Sequence, residues 1–447
     1  MIPLEFRNHT PFPAQAFQGV APDGEPFHVA VLRQTCTWAG GALALDDAQS
    51  PLADTDRFAG APNRSSVLAE SDLCPFKPRC DLLLDAVAHA PGGRPARTFP
   101  VRFQVQGRGG PVLDKTLQVS GPGWFRRSRA LVRLSWFLVQ LATLGLVRRS
   151  PWRRTRPGPI RSLPLRYEHA YGGEAKVLIS DRVAARVNRR HWLPGVTRKD
   201  LRAAFRAGGE PGALAWTVHD PNPVGQGFAR SWHLRATRAR TVPAPQIEAP
   251  GAPVTVRRFL RALADRDPDH PAYQPQGFGI LAKAWAPRRR HLGTVDAAWV
   301  QGGRPLPEDF AFAYWNAAPP DQQVPHLEGD ETLILTNLCA PDAPGAARDA
   351  QGHTILRLDL PGHLPFLLAR EEEGALVPTP MALDTVSLDV EQARLVLVWR
   401  GALALEPAIR VLEARMLDRD EKRRWLEARP GTPAAGPGPA LAGAVHG

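Results

Sequence analysis

Apolar and polar residues alternate along much of the first third of the chain, with the two-residue period of a β-strand. Residues 99–105 are apolar at every odd position, and residues 116–120 alternate in the same way after the turn GRGG. This pattern predicts an antiparallel hairpin. The runs FHVAVLRQTCTW and CDLLLDAVAHA have strand length and turn-rich flanks, so we predict a β-sandwich-like domain over residues 1–122.

Strand patterns return after about residue 210, where turn residues are frequent. They appear in ETLILTNL, in TILRLDLPGHLPFLL and in a clear hairpin around the turn DVEQAR. We therefore predict a second, turn-rich β domain over residues 207–412, a basic helix at 413–429 and a disordered tail at 430–447. The predicted fold class is mainly β.

Residues 123–206 interrupt the strand pattern and form a predicted basic insertion. Within it, residues 130–147 are apolar almost all around a helix and are flanked by arginines. A membrane-spanning helix needs about 20 apolar residues and a buried arginine is costly, so Arg133 argues against a transmembrane anchor. We expect this helix to pack on the body or on a partner, with contact at a membrane surface as the alternative.

The positive charge of the chain is concentrated in one segment. The formal net charge is +12, whereas residues 124–206 contain 20 Lys and Arg against 4 acidic residues, which gives +16 and leaves about −4 for the rest. Such a segment suggests an acidic partner or nucleic acid. Few aromatic residues are interleaved with the charges beyond Trp152 and Trp192, so we rank nucleic-acid binding last.

The cysteines do not form a recognisable thiol or metal motif. There are 4 cysteines and none lies in a C-x-x-C pair. We expect Cys74 and Cys80, in the loop SDLCPFKPRCD, to pack as small apolar residues. Prolines on both sides of Lys77 stiffen this loop, and we predict that Lys77 pairs with Asp72 or Asp81.

No catalytic motif is present. The chain has no G-x-S-x-G elbow, H-E-x-x-H helix, Walker loop or G-x-G-x-x-G after a strand, and we predict no catalytic residue, metal or cofactor. One enzymatic alternative uses carboxylates such as Asp296 and Asp321 on an acidic or carbohydrate substrate. The N-terminal MIPLEFRNHTPFP places Glu5 and Arg7 where a secretory signal is apolar, so we expect a cytoplasmic protein.

Ten motifs occur in a fixed order between about residues 3 and 405. They are FRNHTPF, QSPLADTD, SDLCPFKPRCD, APGGRP, LPLRYEHAYGG, NPVGQGF, WAPRRRHLGTVDAAW, PLPEDFAFAYWNAAPPDQQ, LEGDETLILTNL and ALDTVSLDVEQARLVLVWRG. In these motifs the chain resembles a bacterial domain-of-unknown-function family encoded beside type VI secretion spike genes. Residues 126–160 and 229–268 match poorly, and Val295 stands where that family usually has an aromatic residue.

The resemblance implies an adaptor or chaperone that loads a secreted effector onto the VgrG and PAAR spike, with part of the cargo surface supplied by the basic insertion. It implies no cofactor. The motif residues that either contact the partner or maintain the architecture are Lys77, Asp81, Tyr171, Asn222, Gly225, Phe228, Trp285, Arg288, Asp296, Trp299, Asn316, Asp321, Gln322 and Arg400.

Overall fold

Most of the regular structure consists of β-strands, as the alternation predicts. The computed structural model describes residues 4–40, 42–128, 137–138, 141–142, 150–200 and 212–427. The first strands are β1 (Glu5–Asn8), β2 (Ala14–Val20), β3 (Pro26–Ala39), β4 (Ala42–Leu45), β5 (Arg57–Phe58), β6 (Val67–Ala69), β7 (Cys80–Asp85), β8 (Val87–His89), β9 (Thr98–Gly107), β10 (Gly110–Ser120), β11 (Trp124–Arg127), β12 (Trp152–Arg154), β13 (Ser162–Pro164), β14 (Tyr171–Gly172), β15 (Glu174–Leu178) and β16 (Ala213–Val218).

The later strands are β17 (Gln226–Gly227), β18 (Thr241–Pro243), β19 (Ile247–Glu248), β20 (Gln323–Val324), β21 (Thr332–Thr336), β22 (Ala347–Arg348), β23 (Thr354–Asp359), β24 (Leu364–Glu371), β25 (Leu376–Pro380), β26 (Ala382–Asp389), β27 (Arg394–Ala404) and β28 (Ile409–Leu417). The α-helices are short: α1 (Ser231–Thr237), α2 (Val256–Leu263), α3 (Ala286–Arg289), α4 (Ala297–Gly302) and α5 (Arg419–Glu427).

Three large sheets organise the protein. A seven-stranded central sheet has the order β2-β3-β27-β26-β7-β20, with β4 pairing to β3 beyond the end of β2. A six-stranded sheet has the order β19-β10-β9-β21-β23-β22, and a four-stranded sheet has the order β1-β28-β24-β25. Only β7 with β26 and β1 with β28 run parallel in these three sheets, within the described residues.

The two predicted hairpins are confirmed. Strand β9 pairs antiparallel with β10, and Phe99, Val101, Phe103 and Val105 are all buried on one face. Strand β26 pairs with β27 in the same way around the predicted turn. Alternation of apolar and polar residues therefore identifies the β9–β10 hairpin, and the turn DVEQAR between two strand patterns identifies the β26–β27 hairpin.

The predicted boundary between two β domains is wrong. Strand β3 pairs with β27 over 11 positions, and β7 pairs with β26, so the central sheet combines residues 1–122 with residues 207–412. One hydrophobic cluster includes side chains from all three large sheets, among them Leu32, Val101, Leu335 and Leu412. The two regions share a core because each contributes alternate strands to the same sheets.

The predicted basic insertion over 123–206 is also part of the body. Strand β11 pairs with β18, β13 with β8, and β15 with β16, so its strands depend on residues outside the segment. Most of the predicted helix at 130–147 lies outside the described residues. The described part, 137–138 and 141–142, is helical and includes the exposed side chains of Phe137, Leu138 and Leu141. No described helix is long and apolar enough to span a bilayer.

The predicted basic helix at 413–429 begins later than expected. Residues 413–417 belong to β28, where Leu412 and Ala414 enter the core and Glu413 lies opposite Leu368. The helix is α5, which starts at Arg419. The pairing of β28 with β24 overrides the helical preference of this charged sequence. The predicted tail at 430–447 lies outside the described residues.

The shared central sheet predicts that residues 1–122 do not fold alone. In that fragment β3 and β7 lose the partners β27 and β26, so their apolar faces are uncovered. We expect the isolated fragment to show no cooperative thermal transition by circular dichroism, whereas the full chain shows one. A cooperative transition in the fragment would restore the two-domain interpretation.

Candidate functional site

The carboxylate of Asp81, on β7, is completely buried and accepts four hydrogen bonds. Its Oδ2 accepts from Lys77 Nζ and from the backbone N–H of Ala317, both at 2.8 Å. Its Oδ1 accepts from Asn316 Nδ2 at 3.0 Å and from the N–H of Ala318 at 3.1 Å. A buried carboxylate is stable only when its lone pairs are satisfied, so these contacts fix the 316–318 segment on β7.

Lys77 connects Asp81 to a second buried ion pair. Its Nζ also donates to Thr385 Oγ1 at 2.8 Å, and Thr385 Oγ1 donates to Asp384 Oδ1 at 2.9 Å. Arg400 Nε donates to Asp384 Oδ2 at 2.6 Å. Burial opposes the charge of Lys77, but Asp81 and Asp384 outweigh it and raise the pKa of the ammonium. The predicted pairing of Lys77 with Asp81 is confirmed, and this Asp81 cluster joins β7, β26 and β27.

Asp72 and the cysteines have other surroundings. Asp72 accepts from Arg33 Nη1 at 2.6 Å and is not a partner of Lys77. All four cysteines are buried and free, and burial raises the pKa of the Cys74 and Cys80 thiols. Protonated thiols inside the protein are poor nucleophiles and poor metal ligands, so Cys74 and Cys80 contribute packing, as predicted.

Gln322 and Asp321 join the central sheet to the six-stranded sheet. Gln322 Nε2 donates to Leu82 O at 2.7 Å, and its Oε1 accepts from Lys115 Nζ at 2.7 Å. Lys115 belongs to β10 and also donates to Asp321 Oδ1 at 2.8 Å. Burial lowers the pKa of Lys115. Gln322 is buried, whereas the Asp321 side chain is 60% exposed.

Arg288 and Trp285 hold the segment before α4 against the body. The Arg288 side chain is 2% exposed, pairs with Glu70 at 2.5 Å and donates to Leu281 O and Tyr314 O. The ring of Trp285 packs edge-on against Tyr167, with centroids 5.2 Å apart. Both motif residues therefore have structural contacts.

The motifs LPLRYEHAYGG and NPVGQGF meet at Asn222. Its Nδ2 donates to Tyr167 O at 2.9 Å and to Tyr171 O at 3.0 Å. A Cβ on Gly172 would lie 2.1 Å from the backbone oxygen of Asn222, and one on Gly225 would lie 2.7 Å from the backbone oxygen of Ala170. Glycine is required at both positions because the two backbones approach too closely for any side chain.

His219 and Phe228 complete this region. The centroid of the Phe228 ring lies 5.5 Å from that of His219 and 4.9 Å from the guanidinium carbon of Arg230. His219 Nε2 lies 2.6 Å from Tyr273 O. Burial lowers the pKa of His219 to about 4, so its ring is neutral at pH 7.

Asp296 and Trp299 lie together at the surface. Asp296 caps α4 by accepting from the N–H of Trp299 at 2.9 Å. Both line an open depression of about 520 Å³ together with Arg304 and Asp309. Asp321 is not among the residues that line this depression, so the structure does not bring the two proposed catalytic carboxylates together there. A partner-binding role for the motif residues stays a prediction.

One surface was not anticipated from the motifs: the free edge of β2. The bonds Arg33 N–H to Pro13 O and Ala21 N–H to Glu25 O set the register of the β2–β3 hairpin. They direct the odd-numbered residues of β2 toward β3. The backbone groups of Ala14, Ala16, Gln18 and Val20 therefore point outward, and no described residue bonds to them. The β2 edge has seven residues, AQAFQGV, with no charge and no proline.

Strand β25, an edge of the four-stranded sheet, differs from β2 because prolines block its outward side. The bond from Glu371 N–H to Ala375 O directs the odd-numbered residues toward β24, so Pro378 and Pro380 face outward and offer no N–H. Proline at an edge blocks the addition of another strand. In the described part of the chain, β2 is the longest edge strand of the three large sheets. Its lack of charge and proline was the sequence signal that could have identified it.

Comparison with known proteins places the chain in a family. A family model described as "Uncharacterized protein conserved in bacteria (DUF2169)" matches residues 23–400. No curated protein and no solved structure matches the chain.

Removing the charge of Asp81 should destabilise the whole protein. In Asp81→Asn the buried Lys77 loses its partner, and we expect the free energy of unfolding in urea to fall by about 3 to 5 kcal/mol. The control Asp114→Asn breaks an ion pair with Arg102 in which both side chains are more than 40% exposed, and should change it by less than about 1 kcal/mol. If Asp81→Asn lowers the free energy of unfolding by no more than this control does, the Asp81 cluster is not needed for stability.

Burial of His219 should make stability depend on pH. The unfolded chain takes up a proton near pH 6.5, but the folded chain does so only near pH 4, so stability is lost as pH falls through this window. We expect His219→Gln to remove about 2 kcal/mol of the loss between pH 7 and pH 5, measured by urea unfolding. An unchanged pH profile in this variant would exclude a neutral, buried His219.

Proposed function

The chain belongs to the DUF2169 family of conserved bacterial proteins, and for it we propose the role of an adaptor or chaperone in type VI secretion. In this role the protein acts in the cytoplasm and binds a secreted effector or the PAAR-containing carrier of one. It then helps to load that cargo onto the VgrG spike. The ordered motifs described above support this assignment.

The β2 edge is the observation that carries the proposal. It offers the outward N–H and C=O groups of four alternate residues, which can bind an extended segment of another chain as an added strand. Secreted proteins with unfinished β elements expose such segments and aggregate through them. An adaptor that covers the segment with its own edge prevents this without any nucleotide or bond-making step.

The proline-blocked edge at β25 strengthens this interpretation. Proteins normally protect sheet edges because an open edge recruits other chains. This protein protects β25 with Pro378 and Pro380 but leaves the longer β2 open. An unprotected edge beside a protected one is expected where strand addition is the function.

Blocking the β2 edge tests the proposal. Gln18→Pro removes an outward N–H that has no bond to β3, whereas Gln18→Thr keeps it. The protein is co-expressed with each effector, PAAR and VgrG protein encoded beside its gene, and retained cargo is quantified after affinity purification. We expect Gln18→Pro to retain about tenfold less cargo than the wild type and Gln18→Thr to match it.

Two results would contradict the proposal. If the wild type retains none of these products, the adaptor role is wrong. If Gln18→Pro retains cargo as well as Gln18→Thr does, while both variants melt at the wild-type temperature, the β2 edge is not the binding surface.

A further inference from the structure

A groove of about 580 Å³ opens next to the β2 edge. It lies where the β2–β3 turn, the ends of β24 and β27, strand β25 and the 404–409 segment meet. Ala21, the first residue after β2, is one of its lining residues. The groove is therefore continuous with the surface proposed above to bind cargo. We call it the acidic groove, because its charged lining residues are Asp23, Glu25, Glu371 and Glu406.

The floor of the acidic groove is apolar. It includes the buried side chains of Phe27 and Ala369 and the partly buried Leu403 and Ile409. At its margin Val377 is 39% exposed. Covering exposed apolar surface with another apolar surface lowers the free energy, because both are removed from water.

The charged residues of the groove are all acidic. Asp23, Glu25, Glu371 and Glu406 line it, and no Lys or Arg is among its described lining residues. None of the four carboxylates forms an ion pair with another described residue. The chain as a whole carries +12, so the sign of this surface is opposite to that of the molecule. The groove therefore selects for positive charge on whatever covers its apolar floor.

We propose that the acidic groove binds a basic amphipathic segment of a partner polypeptide. Apolar side chains of that segment cover Val377, Leu403 and Ile409, while its Lys and Arg side chains pair with the four carboxylates. The inference rests on the proposed adaptor function and specifies the chemistry of the cargo. The β2 edge forms backbone hydrogen bonds, which do not depend on the sequence of the cargo. The adjacent acidic groove selects cargo segments that are basic and amphipathic.

Binding of a synthetic peptide tests this inference on the full-length protein. The probe is a fluorescent amphipathic peptide of leucine and lysine, about 18 residues long, and the negative probe replaces each lysine by glutamate. We expect the wild type to bind the lysine peptide with an affinity that falls as the NaCl concentration is raised, and not to bind the glutamate peptide. Glu371→Lys/Glu406→Lys should weaken binding by about tenfold, measured by fluorescence anisotropy.

A matched variant separates the groove from general electrostatics. Asp47→Lys/Glu391→Lys adds the same charge at two exposed carboxylates without a described ion pair. These lie near the start of β27, about 30 Å from the end that forms the groove. We expect this variant to bind the lysine peptide within twofold of the wild type.

Four outcomes would overturn the inference. The first three are no binding of the lysine peptide, equal weakening in both double variants, and an affinity that does not change with salt. A wild-type dimer that dissociates in Glu371→Lys/Glu406→Lys, seen by light scattering, would assign the groove to a second copy of this chain. Any of these results with cargo retention still intact would leave the adaptor proposal standing, because that test changes only the β2 edge.

Discussion

The buried carboxylate of Asp81 is the constraint on which the rest of the structure depends. A charge removed from water must be neutralised and hydrogen-bonded, and the donors to Asp81 come from residues 4 and more than 230 positions away. Lys77 then reaches Thr385, 308 residues further along the chain. The central sheet can form only when these distant segments are in place. One buried charge therefore links the loop of Lys77 and the 316–318 segment to the pairing of β7 with β26.

This requirement explains why so many motif residues are structural. Asn222, Gln322 and Arg288 are buried polar groups, and each donates to the backbone carbonyl of a residue far away or in another segment of the chain. Few side chains can make those bonds, so such positions appear as motifs whatever the protein binds. The two surfaces that we propose for a partner, the β2 edge and the acidic groove, lie outside the ten motifs, whereas the motif residues Asp296 and Trp299 line an open depression.

Pairings between residues close in the sequence could be predicted, whereas pairings between distant segments could not. The β9–β10 hairpin follows from alternation and the β26–β27 hairpin from strand patterns on both sides of the turn DVEQAR. The place of Lys77 on a proline-stiffened loop predicts a partner among Asp72 and Asp81, and Asp81 is that partner. The pairing of β3 with β27 could not be predicted, because both strands are buried on both faces and show no alternation. The ion pair of Arg288 with Glu70 joins residues 218 positions apart, and no spacing rule reaches that far.

The energies of backbone hydrogen bonds indicate why the β2 edge needs a second contact in the proposed adaptor role. Its four outward residues offer at most eight backbone hydrogen bonds, worth about 4 to 12 kcal/mol together. Association costs about 4 to 15 kcal/mol in lost freedom, so these bonds leave little net affinity and no preference among sequences. A second contact must supply both. The acidic groove begins one residue beyond β2, so in the proposed role a single cargo segment is able to reach both surfaces.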